Sequence, residues 1–312
     1  MEANREINLL DVYLKILQES SLQDSLGFYH SNRSFTKWLI LSDYSSSIDK
    51  KTHETYCFSI APVFFDFQEM KSAIGYFQPT DLKSTRRISN DFLEIAASDK
   101  LIHFVFSFGN TKQNPFRRSS LQNTRETIRE LLNYADQIEP VNRDNQGFRS
   151  MRKKLHLAEQ ESRKSAFNYL LFDRMVMISG IGAALAGLVS KYTQAQDINW
   201  MSDRDNVMTF CGGLICDLFS ISFMGANYRL NINRRCNLWT SHGEGTGKMW
   251  FDELLRIPDF VAGAFSRISL NTGSIALGKQ SYVLQKTMSR VHFFSVKEEG
   301  DGIVIRREKL KT

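Results

Sequence analysis

Short apolar runs alternate along the chain with longer stretches of helical period, and their order predicts a mixed architecture. Ile7, Leu10, Leu14 and Leu17 recur at helical spacing, so an opening helix is expected over 5–26, stopped by Gly27. Trp38 to Leu41 is a compact apolar strand that delivers Asp43 to its C-terminal edge. His53 to Phe65 reads as a second strand, antiparallel to the first because the serine and Asp49-Lys50-Lys51 connection is short, with Pro62 at its end or on an edge. Short helices are expected over 67–77 and 88–97, and Leu101 to Phe108 is a third strand. Long helices follow over 119–138 and 149–170, then an apolar helix over 172–191. Asp197 to Ser202 is a short strand running into Asp203-Arg204-Asp205. A helix over 206–217, weakened by Gly212-Gly213, precedes a further strand over Phe219 to Phe223. Residues 231–249 form a polar, glycine-rich loop, and Met249 to Arg267 a helix kinked or jointed at Pro258. The tail predicts a hairpin, Val291 to Val296 and Ile303 to Arg306, around Glu299-Gly300-Asp301-Gly302.

This order reads as one α/β domain over 1–312. An N-terminal helix occupies 1–30, a helical insertion 110–192 and a C-terminal hairpin 280–312. No repeat, low-complexity tract or linker divides it. At 42% hydrophobic and 24% charged residues, the 312-residue chain is ordinary for a globular protein, which excludes a disordered tail, a collagen and a disulfide scaffold.

Charge adds a question. Forty basic residues against 34 acidic ones give +6, compatible with a nucleic-acid partner without demanding one. The excess is clustered: Arg117, Arg118, Arg125 and Arg129; Arg149, Arg152, Lys153, Lys154, Arg163 and Lys164; and a basic tail from Arg306 to Lys311. These are either solvated helix faces or a phosphate-contacting surface.

Cys57, Cys211, Cys216 and Cys236 include no CxxC pair and no histidine at finger spacing, which argues against structural zinc. The opening MEANREINLL lacks a secretory pattern, so a reduced, cytoplasmic protein is expected. Asn32-Arg33-Ser34 is a chance sequon. Met175 to Val189 carries no charge, but fifteen residues fall short of the roughly 20 that span a bilayer, and Val207 to Ala226 is interrupted by Asp217. No stable membrane span is expected; both segments are candidates for oligomer or partner contacts.

Several chemistries fail on their motifs. His242 to Met249 (HGEGTGKM) is not a phosphate loop, because histidine stands where the first glycine belongs and methionine where Ser or Thr belongs. No GxSxG elbow, HExxH pair or histidine cluster occurs. The carboxylates say more. Asp43 ends one strand, Asp203 and Asp205 end another, and Asp259 lies among Ile257, Phe260 and Val261 in a helix. A carboxylate flanked by core residues needs a partner, and hard divalent cations prefer such oxygens. Acids from separate elements are what a two-metal phosphodiester site requires. Singly, each also has a structural reading: Asp43 or Asp205 as a cap, Asp203 paired with Arg204, Asp259 paired with Arg256 or Arg267.

The ordered pattern resembles the RNase H-like superfamily, specifically the bacterial proteins grouped as domain of unknown function 3800. LILSDYSSS resembles their first strand end, with Tyr44 where the family usually has Glu; NWMSDRDN resembles their later strand end; Pro258-Asp259-Phe260-Val261-Ala262-Gly263 resembles their closing helix motif. The likeness spans about residues 37–267. It implies an RNase H-like mixed sheet flanked by helices and a metal-dependent nuclease, with Asp43, Asp203 and Asp259 as catalytic ligands of Mg²⁺ or Mn²⁺ in a two-metal site. Asp205, Glu94, Glu253 or Asp217 could supply a further carboxylate. Nucleic acid, DNA or RNA, would be held by Arg117, Arg118, Arg152, Lys153 and Lys154, with His242 or Lys248 at a phosphate. Relatives of this kind sit among mobile-element and phage-defence genes, which implies a defence effector. The alternative is a catalytically inactive interaction or scaffold protein that kept the fold.

Overall fold

The computed structural model describes residues 9–45, 54–64, 66–108, 121–138, 146–203, 205–241, 249–268, 278–299 and 302–308. Seven strands form one mixed sheet: β1 (Lys37–Ser45), β2 (Glu54–Pro62), β3 (Ile102–Phe108), β4 (Asp197–Ser202), β5 (Asn237–Ser241), β6 (Val291–Glu299) and β7 (Gly302–Arg307). Their spatial order is β5-β4-β1-β2-β3-β6-β7. β1, β2 and β3 make an antiparallel meander. β4 adds in parallel to β1 and β5 in parallel to β4. On the far side β6 runs parallel to β3 and closes a hairpin with β7.

Both faces of the sheet are covered, so the central strands read as continuous apolar runs rather than alternating ones. One cover comprises α1 (Leu9–Ile16), α2 (Leu22–Ser31), α5 (Leu121–Ile138), α6 (Gln146–Ser162), α7 (Tyr169–Tyr192), α8 (Asn206–Thr209) and α9 (Leu214–Arg229). The other comprises α3 (Phe67–Phe77), α4 (Asn90–Ala96), α10 (Asp252–Phe265) and α11 (Lys279–Thr287). Strand alternation sorts β1 between them. Trp38, Ile40 and Tyr44 pack toward α7, while Leu39 and Leu41 pack toward α10.

The apolar segment is the centre of the first cover: Met177 to Ser190 are buried without a break. α7 is long and apolar enough to cross a membrane, yet 83% of its most apolar window is buried within the protein. Gly187 explains the close fit, since a Cβ there would stand 3.0 Å from both Ala226 of α9 and Leu230, which caps it. Burial also leaves residues 175–189 no free face for a partner. Of 207–226, Met224 is half exposed.

Three expectations change. Phe219 to Phe223 is helical, within α9; its period-2 pattern is overridden because Phe219 and Phe223 are buried on the α7 side of a longer apolar helix. β5 lies inside the segment read as loop, and its five residues are polar and only partly covered because it is the sheet edge. α11 was hidden in the stretch assigned to the C-terminal hairpin. The doubt over 206–217 has a physical basis. Cys211 (φ 48°), Gly212 (φ 67°) and Gly213 (φ 74°) turn left-handed and split it into α8 and α9. α10 runs through Pro258 as one helix.

Candidate metal centre

The parallel pairing of β1 with β4 sets the end of β4 level with Ser42, which lies opposite Ser202. The Asp203 N–H extends that ladder to the Ser42 carbonyl at 3.4 Å. Asp43, one residue on in β1, faces the α10 cover, where Asp259 is carried on the helix. The structure thus brings together three acids from distant parts of the chain. Asp43 is 9% exposed, Asp259 half-buried and Asp203 exposed, so the cluster opens to solvent at Asp203.

The electrostatics follow from crowding like charges under poor solvation. Burial first, then the charges of Asp259 and Asp203, hold the Asp43 carboxyl well above the usual carboxylate range; the Tyr44 N–H and Lys83 pull it back. Burial also raises Asp259, opposed by a hydrogen bond from the Leu82 N–H and by Lys83, while Asp81 and Asp203 add to the rise. The Leu82 N–H donates to Asp259 Oδ2 at 3.0 Å across 177 residues of sequence. Gly263, one turn along α10, is what lets that loop lie down: a Cβ there would stand 2.3 Å from Leu82 Cδ2.

Carboxylate oxygens are the donor type that a hard divalent cation prefers. Among the described residues, however, no three Asp, Glu, His or Cys side chains already stand as a metal-ligating group.

The other candidates lie elsewhere. Asp205 is an N-cap, accepting from the Val207 N–H at 3.3 Å, and its charge is felt by Tyr44 and Tyr56 on the opposite face. Asp217 pairs with Lys154 at 2.7 Å on the α9 side. Glu253 is buried near Gly75, and Glu94 is exposed on α4. Tyr44 sits on the α7 side in a hydroxyl network with Ser42 (2.9 Å) and Ser202 (3.1 Å), to which Trp200 Nε1 donates through Ser42 (2.8 Å). By alternation an acid at 44 would begin on the face opposite Asp43.

The basic residues on α6 and just beyond its end are not at this site. They belong to the other cover, and their charge is partly neutralised within the protein. Arg152 pairs with Asp136 at 2.7 Å, Lys154 with Asp217, Arg163 with Glu159 at 3.3 Å and Lys164 with Glu161 at 2.6 Å. Arg149 and Lys153 line an open recess with Gln146 and Ser150. Arg117, Arg118, His242 and Lys248 lie outside the described residues.

The structure also places chemistry that sequence reading missed. Lys83 is the cation acting on both Asp43 and Asp259. Next to Asp43 across the strand pair, Cys57 begins a buried chain. Cys57 Sγ lies 3.7 Å from Ser59 Oγ, which is 2.7 Å from His103 Nδ1, while His103 Nε2 is 2.8 Å from the Ala96 carbonyl. A carbonyl only accepts, so Nε2 carries the proton and Nδ1 accepts from Ser59. All three side chains are sealed from solvent, so the Ser59–His103 pair holds β2 to β3 and α4 and reaches no substrate.

In comparison with known proteins, no family model matches the chain, and no curated protein or solved structure matches it.

Proposed function

We propose that the protein is a metal-dependent phosphodiester hydrolase of RNase H-like type, using Asp43, Asp203 and Asp259 to hold Mg²⁺ or Mn²⁺. One observation carries the reading: acids from β1, the β4 end and α10 crowd one solvent-open corner, where burial and the charges of Asp259 and Asp203 raise the proton affinity of Asp43. The antiparallel leader β1–β3, with β4 and β5 added in parallel beside β1, supports the RNase H-like resemblance. Buried carboxylates without enough cationic partners cost folding free energy, and a ligand that neutralises them is the usual reason for keeping them. A bound divalent ion would supply charge neutralisation, water activation and stabilisation of the leaving oxygen. Asp43 contributes an oxygen from a rigid strand. Asp259 contributes one oriented by the Leu82 N–H, and Asp203 one at the solvent side.

A second reading is favoured by one observation, the lack of a ready-made three-ligand group among the described residues. On that reading the chain is an inactive relative serving as a scaffold. Calorimetric titration of Mn²⁺ into the wild type and Asp259→Asn separates the two. Binding by the wild type that the substitution abolishes, in a variant that remains folded, together with Mn²⁺-dependent cleavage of DNA or RNA, sustains the hydrolase. Absence of binding both with and without an oligonucleotide sinks it in favour of the scaffold.

A further inference from the structure

The nuclease reading needs a surface for the phosphate backbone, and α6 does not sit beside the carboxylates. The loop over 78–89 does. Its sequence, QPTDLKSTRRIS, places Lys83, Arg86 and Arg87 within five residues, opposed only by Asp81. All three cations are exposed, and among the described residues none is in an ion pair with an acid. Asp81, in contrast, lies 3.9 Å from Arg256 of α10.

The loop is built rather than draped. Gln78, 2% exposed, ties its two ends: Nε2 donates to the Thr80 carbonyl (3.0 Å) and Thr85 Oγ1 (3.2 Å), and Oε1 accepts from the Ser89 N–H (3.2 Å). Thr85 Oγ1 donates to the Arg87 carbonyl at 2.6 Å. Lys279 of α11 reaches under the loop, donating to the carbonyls of Leu82 and of Thr85, the latter at 2.9 Å. Leu82 is buried against Gly263, and its N–H holds Asp259. One short segment therefore orients a carboxylate through the Leu82 N–H, brings the Lys83 charge to bear on Asp43 and Asp259, and carries two further exposed cations, Arg86 and Arg87. A fixed backbone under the cations means that little ordering remains to be done on binding.

We propose that this loop is the phosphate-contacting surface of the carboxylate corner, with Lys83, Arg86 and Arg87 holding the backbone of a nucleic acid. The proposal rests on the hydrolase reading for its substrate class. A polyanion brought to an acidic corner is repelled unless cations stand at its rim, and the loop supplies them there. An acidic protein partner would meet the same charges but has no use for the carboxylates behind them.

The experiment compares the full chain with Lys83→Gln/Arg86→Gln/Arg87→Gln, and with Arg149→Gln/Lys153→Gln as a control from α6. Fluorescence anisotropy follows labelled single-stranded DNA and RNA of one sequence over a salt series, in EDTA and in Mn²⁺. Loss of three phosphate contacts is expected to weaken binding by about tenfold to a hundredfold near 0.1 M salt and to lower the salt slope by about 2, at roughly 0.7 per contact. The α6 control should leave both unchanged. The DNA and RNA arms tell which backbone is taken. An unchanged far-ultraviolet circular dichroism spectrum and a cooperative melt show that the fold of the triple variant is intact; because Lys83 acts on Asp43 and Asp259, a small fall in Tm is expected. The proposal is overturned if the triple variant binds like wild type, if neither nucleic acid binds under either condition, or if polyglutamate competes as well as an oligonucleotide. Mn²⁺ titration keeps the two ideas apart. Loop-dependent binding without Mn²⁺ binding removes the hydrolase and keeps the surface; Asp259-dependent cleavage undiminished by the triple variant removes the surface and keeps the hydrolase.

Discussion

Replacing Asp43 by Asn tests the electrostatics of the corner through folding rather than activity. In the native state burial, with Asp259 and Asp203 adding to it, makes Asp43 hold its proton more tightly than it does in the unfolded chain. A raised carboxyl contributes stability that is fully present below its unfolded pKa, near 3.8, and is lost as pH rises through the native value. Every tenfold tightening of proton binding costs about 1.4 kcal/mol once the group is ionised. Unfolding entropy of about 2.1 cal/mol/K per residue gives about 0.65 kcal/mol/K for 312 residues, so each such factor moves Tm by about 2 °C. Asn keeps the size and an acceptor for the Tyr44 N–H but cannot ionise. The Tm of the variant minus that of wild type, followed calorimetrically in EDTA, should therefore be smallest near pH 4, grow with pH and level off. Asp259 and the other acids are present in both proteins, so most of their contributions cancel. Mn²⁺ should then reverse the order, stabilising wild type by about 2.7 kcal/mol at a hundredfold excess over Kd and the variant much less. A difference that is flat with pH, or a variant less stable than wild type at about pH 8, would refute the argument that Asp43 is a buried, repelled carboxylate.

Other outcomes follow from the packing. Leu82→Ala empties the contact over Gly263 and should cost about 2–5 kcal/mol by denaturant titration; it keeps the backbone N–H but loosens the packing that holds it against Asp259, so Mn²⁺ binding should weaken. Gly263→Ala instead overfills that contact, at about 1–3 kcal/mol against roughly 1 kcal/mol of helix propensity gained, so a small net loss of stability with weaker Mn²⁺ binding is expected. Burial lowers His103 and His292 to about 4, so these two neutral histidines should make stability rise between about pH 4 and 6.5. His103→Gln should flatten the rise by on the order of 3 kcal/mol at most, read from unfolding free energies across that range. Lys154→Met should destabilise by about 1–3 kcal/mol by leaving Asp217, raised by burial, without its 2.7 Å partner; pairing it with Asp217→Leu in a double-mutant cycle should recover part of the loss.

The sequence by itself determined the elements whose pattern is local. The strand carrying Asp43, which runs on to Ser45, the strand end at Ser202, the apolar helix over 172–191 and the helix around Asp259 all come from runs in which period and burial agree, so propensity and packing point the same way. It also singled out the three acids, because an aspartate at the end of an apolar run or inside a helix core stands out against its neighbours. Tertiary structure decided the rest. Only the parallel β1–β4 pairing sets Asp203 level with Asp43, and only the alternation of β1 puts Asp43 rather than Tyr44 on the α10 side. Asp205 is two residues from Asp203 but turns to cap α8, a difference no spacing rule contains. Phe219 to Phe223 became helical because α7 buries their side chains, and β5 became a strand because β4 pairs its backbone groups. The basic run at 149–164, conspicuous as a string of letters, is partly paired within its own helical layer, whereas Lys83 lies in a stretch between two short helices to which the residue pattern assigns no chemistry. Its place beside the carboxylates depends on a hydrogen bond spanning 177 residues and on a missing Cβ at Gly263. Long-range contacts of that kind leave no period or spacing in the sequence, so they become visible only when the chain is folded.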